Sequence, residues 1–528
     1  MPGTALKFRL PDSLVLTDLI STLRTAFPMV EEPPISLARS YYDSFDWRLF
    51  QAGKVLWRET ARRQQRLVLT DTDEEQSGEF QPLSGQMPGF HRELPPGRLR
   101  EQVAALLDMR VLLPVADVGV TEQIYRVLDE EEKTLLRIAT GSYRGTIPGS
   151  KGSIPLGGWL RLFPVRGYLK DLDRVQSFLG TEIGLTPASG GILELALTAM
   201  GTRPLDYSSK LKFHFSPEER ADKAAKKIHL HLLDTLEQNL PGTLADLDSE
   251  FLHDLRVAVR RTRSALTQIK GVFEPSAVER FKERLGWVGQ ITGPTRDMDV
   301  YLLDYADYRD SLPERFRKDL EPLHDFLLAH QRQAQRALSR KLRSKAFQEL
   351  MMDWRTFLEA PVQNSPQGVD GALPIGDVAG KRIYKIFKRV LRQGLAIGAD
   401  SPPEALHELR KDCKKLRYLI EFFRSLYPQD LIDPVIKTLK ALLDNLGDFQ
   451  DMEVQALKLR EFAHEMLREG EVPADTLLAM GMLVDGLLNR QQRARDAFAK
   501  RFARFAGKGN RAAFKSLFSE NKSSESLA

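Results

Sequence analysis

The chain has 528 residues, of which 42% are hydrophobic and 28% charged, so it is long enough for two or three domains with real cores and is not intrinsically disordered. Its single cysteine, Cys413, excludes a disulfide within the chain and favours a reducing compartment. The N-terminus lacks the apolar run of a signal peptide, and no stretch approaches the roughly 18 apolar residues of a membrane span, so we expect a cytoplasmic protein without a membrane partner.

The net charge of +5 is unevenly distributed along the chain. Residues 1–200 carry 23 Lys and Arg against 25 Asp and Glu, whereas the remaining residues carry 54 against 47. The basic excess therefore lies wholly after residue 200. Its meaning depends on whether those cations share a face of the folded protein.

Residues 1–200 contain short stretches in which apolar and polar residues alternate, a pattern typical of antiparallel strands. We predict one domain at 1–200, mainly antiparallel β with a few helices. The predicted strands are 5–10, 35–42, 54–59, 65–70, 111–120, 124–128 and 134–140, and the predicted helices are 12–26 and 167–179. Residues 71–98 and 141–158 are predicted loops because they are rich in Gly and Pro.

Four short motifs of this domain resemble landmarks of the CYTH family of triphosphate tunnel proteins. They are residues 6–10, 41–44, 52–53 and 164–168. The resemblance implies an antiparallel β-tunnel. Active members of that family bind a triphosphate through inward-facing Arg and Lys and hold a divalent metal with glutamates.

The residues that carry chemistry in that family are mostly replaced in this chain. Gly3 and Ala5 stand in place of two glutamates, and Trp57 and Glu59 stand where active members have Arg-x-Arg. Cleaving a triphosphate requires carboxylates for Mg²⁺ or Mn²⁺ and cations for the phosphoryl oxygens. We therefore expect a degenerate tunnel with no metal, no cofactor and no catalytic residue. A metal-dependent triphosphatase or polyphosphate hydrolase is the alternative.

From about residue 217 the apolar residues recur at spacings of three and four, as in amphipathic helices. The predicted helices are 217–239, 248–273, 276–290, 296–310, 313–345, 377–396, 403–426, 430–446, 449–468 and 474–505. We predict a linker at 201–216, a first helical bundle at 217–360, a Pro- and Gly-rich linker at 361–376, a second bundle at 377–506 and a flexible tail at 507–528.

The two bundles are predicted to be copies of one unit, because their motifs recur at a constant offset of 154 residues. The sequence His-Asp-Leu-Arg at 253–256 corresponds to His-Glu-Leu-Arg at 407–410. Gly293 and Asp297 likewise correspond to Gly447 and Asp451. An offset that holds over more than forty residues is difficult to obtain by chance.

Each copy places a row of basic residues on one face of a helix. The first stripe, at relative positions 0, 3, 7 and 10, consists of His253, Arg256, Arg260 and Arg263. The second stripe consists of His407, Arg410, Lys414 and Arg417. We expect Arg410, Lys414 and Arg417 to have no carboxylate four residues away on this face with which to pair. Cations at this spacing repel by a few tenths of a kcal/mol per pair, which a bound polyanion would offset. Additional contacts are predicted at Lys270, Arg336, Arg340, Lys385 and Arg424.

Asp297 and Asp451 each follow a glycine turn and are predicted to open a helix. A carboxylate in the first turn caps free N–H groups and offsets the helix dipole. The alternative is that each orients a basic residue of a stripe. Cys413 is predicted to be a buried structural thiol, because Val259 occupies its place in the first copy.

Residues 215–505 resemble the CHAD family (conserved histidine α-helical domain). The resemblance is carried by the motifs at 253–263, 293–299, 407–417 and 446–451. It implies two four-helix bundles related by pseudo-two-fold symmetry, with basic residues that bind inorganic polyphosphate, in some members at polyphosphate granules. A CYTH domain followed by a CHAD domain is a common order in that family.

The whole chain is thus predicted to be an α+β multidomain protein, with an antiparallel β-tunnel followed by a tandem pair of antiparallel four-helix bundles. Its predicted partner is inorganic polyphosphate, bound by the two stripes, and we expect an association with polyphosphate granules in the cytoplasm. Nucleic-acid binding is a second alternative. It is disfavoured because the stripes carry almost no interleaved aromatic residues for base stacking.

Overall fold

The computed structural model describes residues 6–62, 64–72, 78–165, 168–188, 190–362 and 368–519. The chain divides into two compact units, Met1–Ser208 and Ser209–Ala528. Of the positions discussed above, Gly3, Ala5, residues 166–167, linker residues 363–367 and the tail from 520 onward lie outside the described residues. No helix in the described ranges is long and apolar enough to cross a membrane.

The first unit is built around an antiparallel sheet, which confirms the predicted α+β class. In its described residues the strands are β1 (Leu6–Leu10), β2 (Met29–Glu31), β3 (Ile35–Asp43), β4 (Lys54–Ala61), β5 (Gln64–Asp71), β6 (Glu79–Pro82), β7 (Leu113–Leu128), β8 (Thr134–Thr146) and β9 (Ile154–Pro164). The helices are α1 (Leu16–Ala26), α2 (Arg48–Gln51), α3 (Arg98–Leu107), α4 (Leu169–Thr181) and α5 (Ile192–Ala199). The strand order is β1-β9-β8-β7-β3-β4-β5-β6, and β2 pairs with β7.

Both faces of this sheet are covered, since successive side chains of a strand point to opposite sides. On β9, Leu160 packs in a cluster with residues of α1 and α4. Its neighbour Trp159 packs on the other face with residues of α5. The face of the sheet that packs against α5 is therefore buried too. Some polar residues that alternate along the strands on this face are buried with it.

Several elements of this unit differ from the prediction. The predicted strands 111–120 and 124–128 are one continuous strand, β7. Part of the predicted loop 141–158 belongs to β8 and β9, because the glycines there pair in the sheet. The predicted loop 71–98 contains β6, and α3 and α5 were not predicted.

The second unit is helical. In its described residues the helices are α6 (Ala221–Ala245), α7 (Ser249–Gln268), α8 (Pro275–Ile291), α9 (Gly293–Ser311), α10 (Glu321–Leu342), α11 (Lys345–Glu359), α12 (Ile375–Leu395), α13 (Pro403–Phe423), α14 (Gln429–Glu469), α15 (Ala474–Phe505) and α16 (Lys508–Phe518).

The helix starts repeat with the offset seen in the sequence. The helices α6, α7 and α8 begin at residues 221, 249 and 275, and α12, α13 and α14 begin 154 residues later, at 375, 403 and 429. One difference breaks the pattern: α8 and α9 are separate, whereas their counterpart α14 is a single helix of 41 residues. Pro294 accounts for the break, since it lacks the N–H of a helical hydrogen bond, and its counterpart is Asp448. The predicted break between 446 and 449 was therefore wrong.

The two copies do not have separate cores. One continuous cluster contains Leu255 and Val259 of the first copy together with Leu416 and Ile420 of the second. A second cluster also mixes the copies, since Tyr301 of α9 packs with residues of α14 and α15. The expected bundles at 217–360 and 377–506 therefore correspond to the two sets of repeated helices. They do not correspond to two separate hydrophobic cores.

The predicted linkers and tail are more ordered than expected. In the described part of the linker 361–376, the Asp370 N–H donates to the Gly271 carbonyl (2.7 Å), and the Ala221 N–H donates to the Leu373 carbonyl (2.9 Å). Within the predicted tail 507–528, α16 buries Phe514 and Phe518 in the helical core. Apolar residues at helical spacing explain the order of this segment.

Candidate anion-binding site

The helix α7 carries the first stripe because its other side is apolar and buried. Asp248 caps the helix, its carboxylate accepting from the N–H groups of Glu250 (2.9 Å) and Phe251 (3.2 Å). Leu255 and Val259 lie in the core, while Arg260 on the opposite side is exposed. The predicted stripe is thus a real face of one helix, and α13 has the same arrangement, with Leu409 and Leu416 buried.

In the first stripe, Arg256 is held by uncharged acceptors. Its Nη1 donates to the Gly289 carbonyl (3.1 Å) and to Thr292 Oγ1 (2.7 Å). Both acceptors lie where α8 ends, next to the break before α9. Burial lowers the pKa of the Arg256 guanidinium, and the Asp297 carboxylate opposes this shift. The Arg256 side chain is therefore fixed in place by neutral acceptors, and no carboxylate of the described residues lies within ion-pair distance of it.

A row of glycines lies opposite the arginines of the first stripe. A Cβ added at Gly286 would lie 3.5 Å from Arg263 Nη2, and one added at Gly289 would lie 3.7 Å from Arg263 Nη1. The counterparts of these glycines in the second copy are Lys440 and Leu443. These are ordinary contact distances, so Arg263 packs directly over the two glycines of α8.

In the second stripe, the cations are held by carboxylates. Arg410 Nη2 lies 2.9 and 3.2 Å from the two carboxylate oxygens of Asp451. Arg417 Nε lies 2.6 Å from Glu421 Oε1. The expectation of no carboxylate four residues from these cations was therefore wrong for Arg417, and Arg410 has a partner from another helix. His407 Nδ1 also has a polar partner, Gln450 Oε1, at 2.7 Å.

The two stripes act on each other. Burial, together with the charges of Arg410 and Arg260, lowers the pKa of Lys414 to about 8. Arg260 belongs to α7 and Lys414 to α13, so cations of both copies share one electrostatic environment. Glu421 supports the same junction, since Arg261 Nη2 of α7 lies 3.6 Å from it.

The alternative role of the repeated aspartates is supported, and capping is not. The first turn of α9 holds no acidic residue, and Asp451 lies in the middle of α14. Asp451 instead forms the ion pair with Arg410. Asp297 interacts with Arg256 through its charge. Each aspartate therefore acts on the arginine of its own copy, as the alternative predicted.

The five additional predicted contacts lie in three different surroundings, and their role in binding stays a prediction. Lys270 and Lys385 line a separate cavity between α7 and α12. Arg424 pairs with Asp433 at 2.7 Å. Arg336 and Arg340 are exposed on α10, and no contact between them and the stripes is found in the described part of the chain. Cys413 is buried, as predicted, and burial strongly raises the pKa of its thiol.

Charged residues buried in the sheet of the first unit were not predicted. Arg39 Nε lies 3.2 Å from Glu59, which also accepts from Arg66 Nε at 2.8 Å. Burial alone would raise the pKa of Glu59, but the two arginines outweigh it and lower the pKa. Glu122 likewise accepts from Tyr143 Oη (2.5 Å) and pairs with Arg161.

These buried pairs neutralise cations that could otherwise meet a phosphate. A sequence signal for them exists: Arg39, Glu59 and Arg161 each stand two positions from a buried aromatic residue on the same strand, and hence on the same face. The strand pattern alone does not show which of these charges meet, because their partners lie on other strands.

Residues 227–460 match the family model of the CHAD domain. Two uncharacterized proteins of Mycobacterium tuberculosis, from strains CDC 1551 / Oshkosh and ATCC 25618 / H37Rv, are each 28% identical to this chain over 292 residues. The match covers 54% of this chain and 52% of each relative, so the chain spans about half the length of the curated relatives it matches.

Two solved structures resemble different parts of the chain. The CHAD domain of the plant Ricinus communis is 21% identical and covers 58% of this chain and 96% of its own, with a TM-score of 0.43. A Hippeastrum protein with a dominant triphosphatase activity is 13% identical and covers 39% of this chain and all of its own, with a TM-score of 0.26. Both scores are below 0.5, so the assignment of the helical unit rests on the family match.

Proposed function

Because residues 227–460 are a CHAD domain, we propose that this chain binds inorganic polyphosphate through its two stripes, acting together as one surface. The observation that carries the proposal is the depressed pKa of Lys414, about 8, to which cations of both copies contribute. Cations that repel each other in the free protein are stabilised most by a polyanion whose negative charges lie between them.

The shape of the surface fits a linear ligand. The first stripe extends over ten residues of α7, which is about 15 Å along a helix. Arginines along it offer forked donors that match the oxygens of a phosphate. A chain with a negative charge on every phosphate can contact several such groups in succession, whereas a single small anion contacts one or two.

The partners of the stripe cations differ in charge, and therefore in how much positive charge each cation presents to a ligand. Arg256 donates through Nη1 to neutral acceptors, and Asp297 acts on it through its charge without forming an ion pair in the described residues. Arg410 shares its charge with Asp451, whose side chain is 57% exposed. We propose that the first stripe supplies most of the attraction and that the second positions the polyphosphate chain. Association with polyphosphate granules in the cell is part of the same proposal.

The two rival functions have less support. A triphosphatase in the first unit would need free cations for the phosphoryl oxygens, but Arg39 and Arg161 are paired with buried glutamates. Nucleic-acid binding would favour aromatic residues beside the cations, and the stripe positions hold almost none. No observation on the described residues favours either rival over polyphosphate.

A competition titration tests the proposal. Long-chain polyphosphate is titrated into the full-length protein at two salt concentrations, and single-stranded DNA and RNA are then added at equal phosphate concentration. We expect polyphosphate to bind with an affinity that falls steeply with salt, because counterions are released, and to remain bound in the presence of either nucleic acid. Displacement by DNA or RNA at equal phosphate would refute the proposal.

A further inference from the structure

A cavity of about 390 Å³ lies between the C-terminal end of α7 and the helix α12, and none of the eight stripe residues is among its described lining residues. The volume is in the range of small-molecule sites. Six cations line it: Lys270, Arg382, Lys385, Lys388, Arg389 and Arg392. The other described lining residues, Gln268 and Ile386, are uncharged.

Two of these cations are fixed by contacts behind the cavity. Arg389 forms a two-point ion pair with the buried Asp412, with Nε–Oδ2 at 2.7 Å and Nη2–Oδ1 at 2.8 Å. Arg382 Nη2 donates to the Lys270 carbonyl (3.0 Å) and to Asp370 Oδ2 (3.2 Å). These contacts hold α12 to α7 and to α13, so the cavity wall is built before any ligand arrives.

The other four cations have no such partner. For Lys270, Lys385, Lys388 and Arg392, no carboxylate lies within ion-pair distance in the described ranges of the chain. Lys385, Lys388 and Arg392 stand at successive spacings of three and four on α12, so their charges repel one another. Lys388 Nζ lies 4.9 Å from the centre of the Tyr384 ring, which leaves its donors free.

The cations that line the cavity on α12 are not repeated in the first copy. The residues of α6 that correspond to Lys385, Lys388 and Arg392 are His231, Asp234 and Gln238. The first copy thus has no cation at these places, and its Asp234 is paired with Arg355 at 2.9 Å. The row of cations on α12 exists in one copy only, so the stripes do not require it.

We propose that this cavity is a separate binding site for a compact anion that bears a triphosphate group. Four unpaired cations match the charge of a triphosphate, which carries about four negative charges. The volume of about 390 Å³ suits a short ligand, and the cations of α12 face Lys270 of the segment that follows α7, so they surround one space. The site does not rest on the proposed binding of long-chain polyphosphate.

Calorimetric titration of the full-length protein tests this site with three probes: inorganic tripolyphosphate, ATP and orthophosphate. The key variant is Lys385→Ala with Arg392→Ala, both exposed residues whose loss should leave the helices intact. The control is Lys345→Ala with Arg309→Ala, which removes two charges that lie outside the cavity and the stripes. A second comparison is Arg256→Ala with Arg410→Ala, which impairs the stripes alone.

We expect tripolyphosphate to bind, and the affinity to fall at least tenfold in the cavity variant while staying within twofold in the control, with a smaller loss in the stripe variant than in the cavity variant. ATP binding with the same dependence would identify a nucleotide as a source of the triphosphate, and tripolyphosphate binding without ATP binding would identify an inorganic source. Unchanged binding in the cavity variant, loss only in the stripe variant, or equal binding of orthophosphate would overturn the proposal. Failure of polyphosphate to bind the stripes would leave these results unaffected.

Discussion

Arg256 and Arg410 occupy the same position in the two copies, 154 residues apart, but their guanidinium groups have different partners. Arg256 donates to a backbone carbonyl and a hydroxyl, whereas Arg410 pairs with Asp451. The break between α8 and α9 supplies the neutral acceptors, and the unbroken α14 supplies the carboxylate. The two copies have the same helix arrangement, but at this position the first copy is more positive and the second is more neutral. This difference can be tested.

The largest expected effect is a difference between the two single arginine variants. Arg256→Ala should weaken polyphosphate binding more than tenfold, since a charge-assisted hydrogen bond contributes about 1.5–3 kcal/mol and tenfold is about 1.4 kcal/mol. Arg410→Ala should cost about threefold, because Asp451 already offsets part of its charge. Fluorescence titration of both variants at one salt concentration measures this. Equal losses would show that the copies contribute alike.

The next expected effect is on stability and concerns the core of the first copy, where a histidine lies at the position that an isoleucine occupies in the second copy. His229 is fully buried, neither ring nitrogen has a hydrogen-bond partner in the described residues, and its counterpart is the buried Ile383. Burial lowers the pKa of His229 to about 3, from an unfolded value near 6.5. Because the unfolded state binds the proton more tightly, stability from neutral His229 is present above pH 6.5 and is lost as the pH falls toward 3.

His229→Ile should therefore raise the free energy of unfolding, by about 1 kcal/mol at pH 7 from removing unpaired polar atoms and by about 2 kcal/mol more at pH 5. Urea unfolding at both pH values checks this prediction. Ile383→Val, a small change at the same place in the second copy, serves as the control and should show no added pH dependence. A gap between wild type and His229→Ile that stays constant from pH 7 to 5 would mean that His229 is not the titrating group.

A smaller effect is expected in the pH dependence of binding. With a pKa of about 8, Lys414 is charged below that pH and neutral above it, and a bound polyanion favours the charged form. Its contribution to affinity should be complete below pH 8 and should decline as the pH rises through 8 toward the higher pKa of the complex. At constant ionic strength, we expect about a fivefold loss between pH 7.5 and 9.5. Lys414→Arg should abolish most of that loss, and an unchanged pH profile in this variant would assign it to another group.

The smallest expected effect comes from making the second copy resemble the first. Asp451→Asn removes the carboxylate beside Arg410 and should tighten polyphosphate binding about twofold, through the larger net positive charge. Asp485→Asn on α15 removes a charge away from the stripes and should change binding less. Weaker binding in Asp451→Asn would instead show that the ion pair is needed to position Arg410.

The sequence predicted the elements that depend on local pattern. The helices of both stripes and the offset of 154 residues could be predicted because apolar spacing and repetition are properties of the chain itself. The ion pair between Arg417 and Glu421 was also within reach, since four residues on a helix separate them. The expectation that no carboxylate lies at that spacing from Arg417 was wrong.

Other features depend on the folded structure. Arg410 and Asp451 meet across 41 residues only because α13 and α14 pack together, and Gly447 in the middle of α14 resembled a break. The strand β9 was hidden by glycines that pair in the sheet. The cavity beside α12 forms where α12 packs near the end of α7, and the ion pair between Arg389 and Asp412 fixes its wall. Residue spacing along the chain predicts neither of these contacts. The role of the stripes in binding stays a prediction.

The most direct test of the central claim is polyphosphate binding by Arg256→Ala combined with Arg410→Ala, beside the control Lys345→Ala combined with Arg309→Ala. Both variants should retain the helical circular dichroism of the wild type, since the substituted side chains do not form the core. We predict at least a thirtyfold loss of affinity in the stripe variant and a change of less than twofold in the control. Unchanged binding in the stripe variant, with its helices intact, would contradict the account.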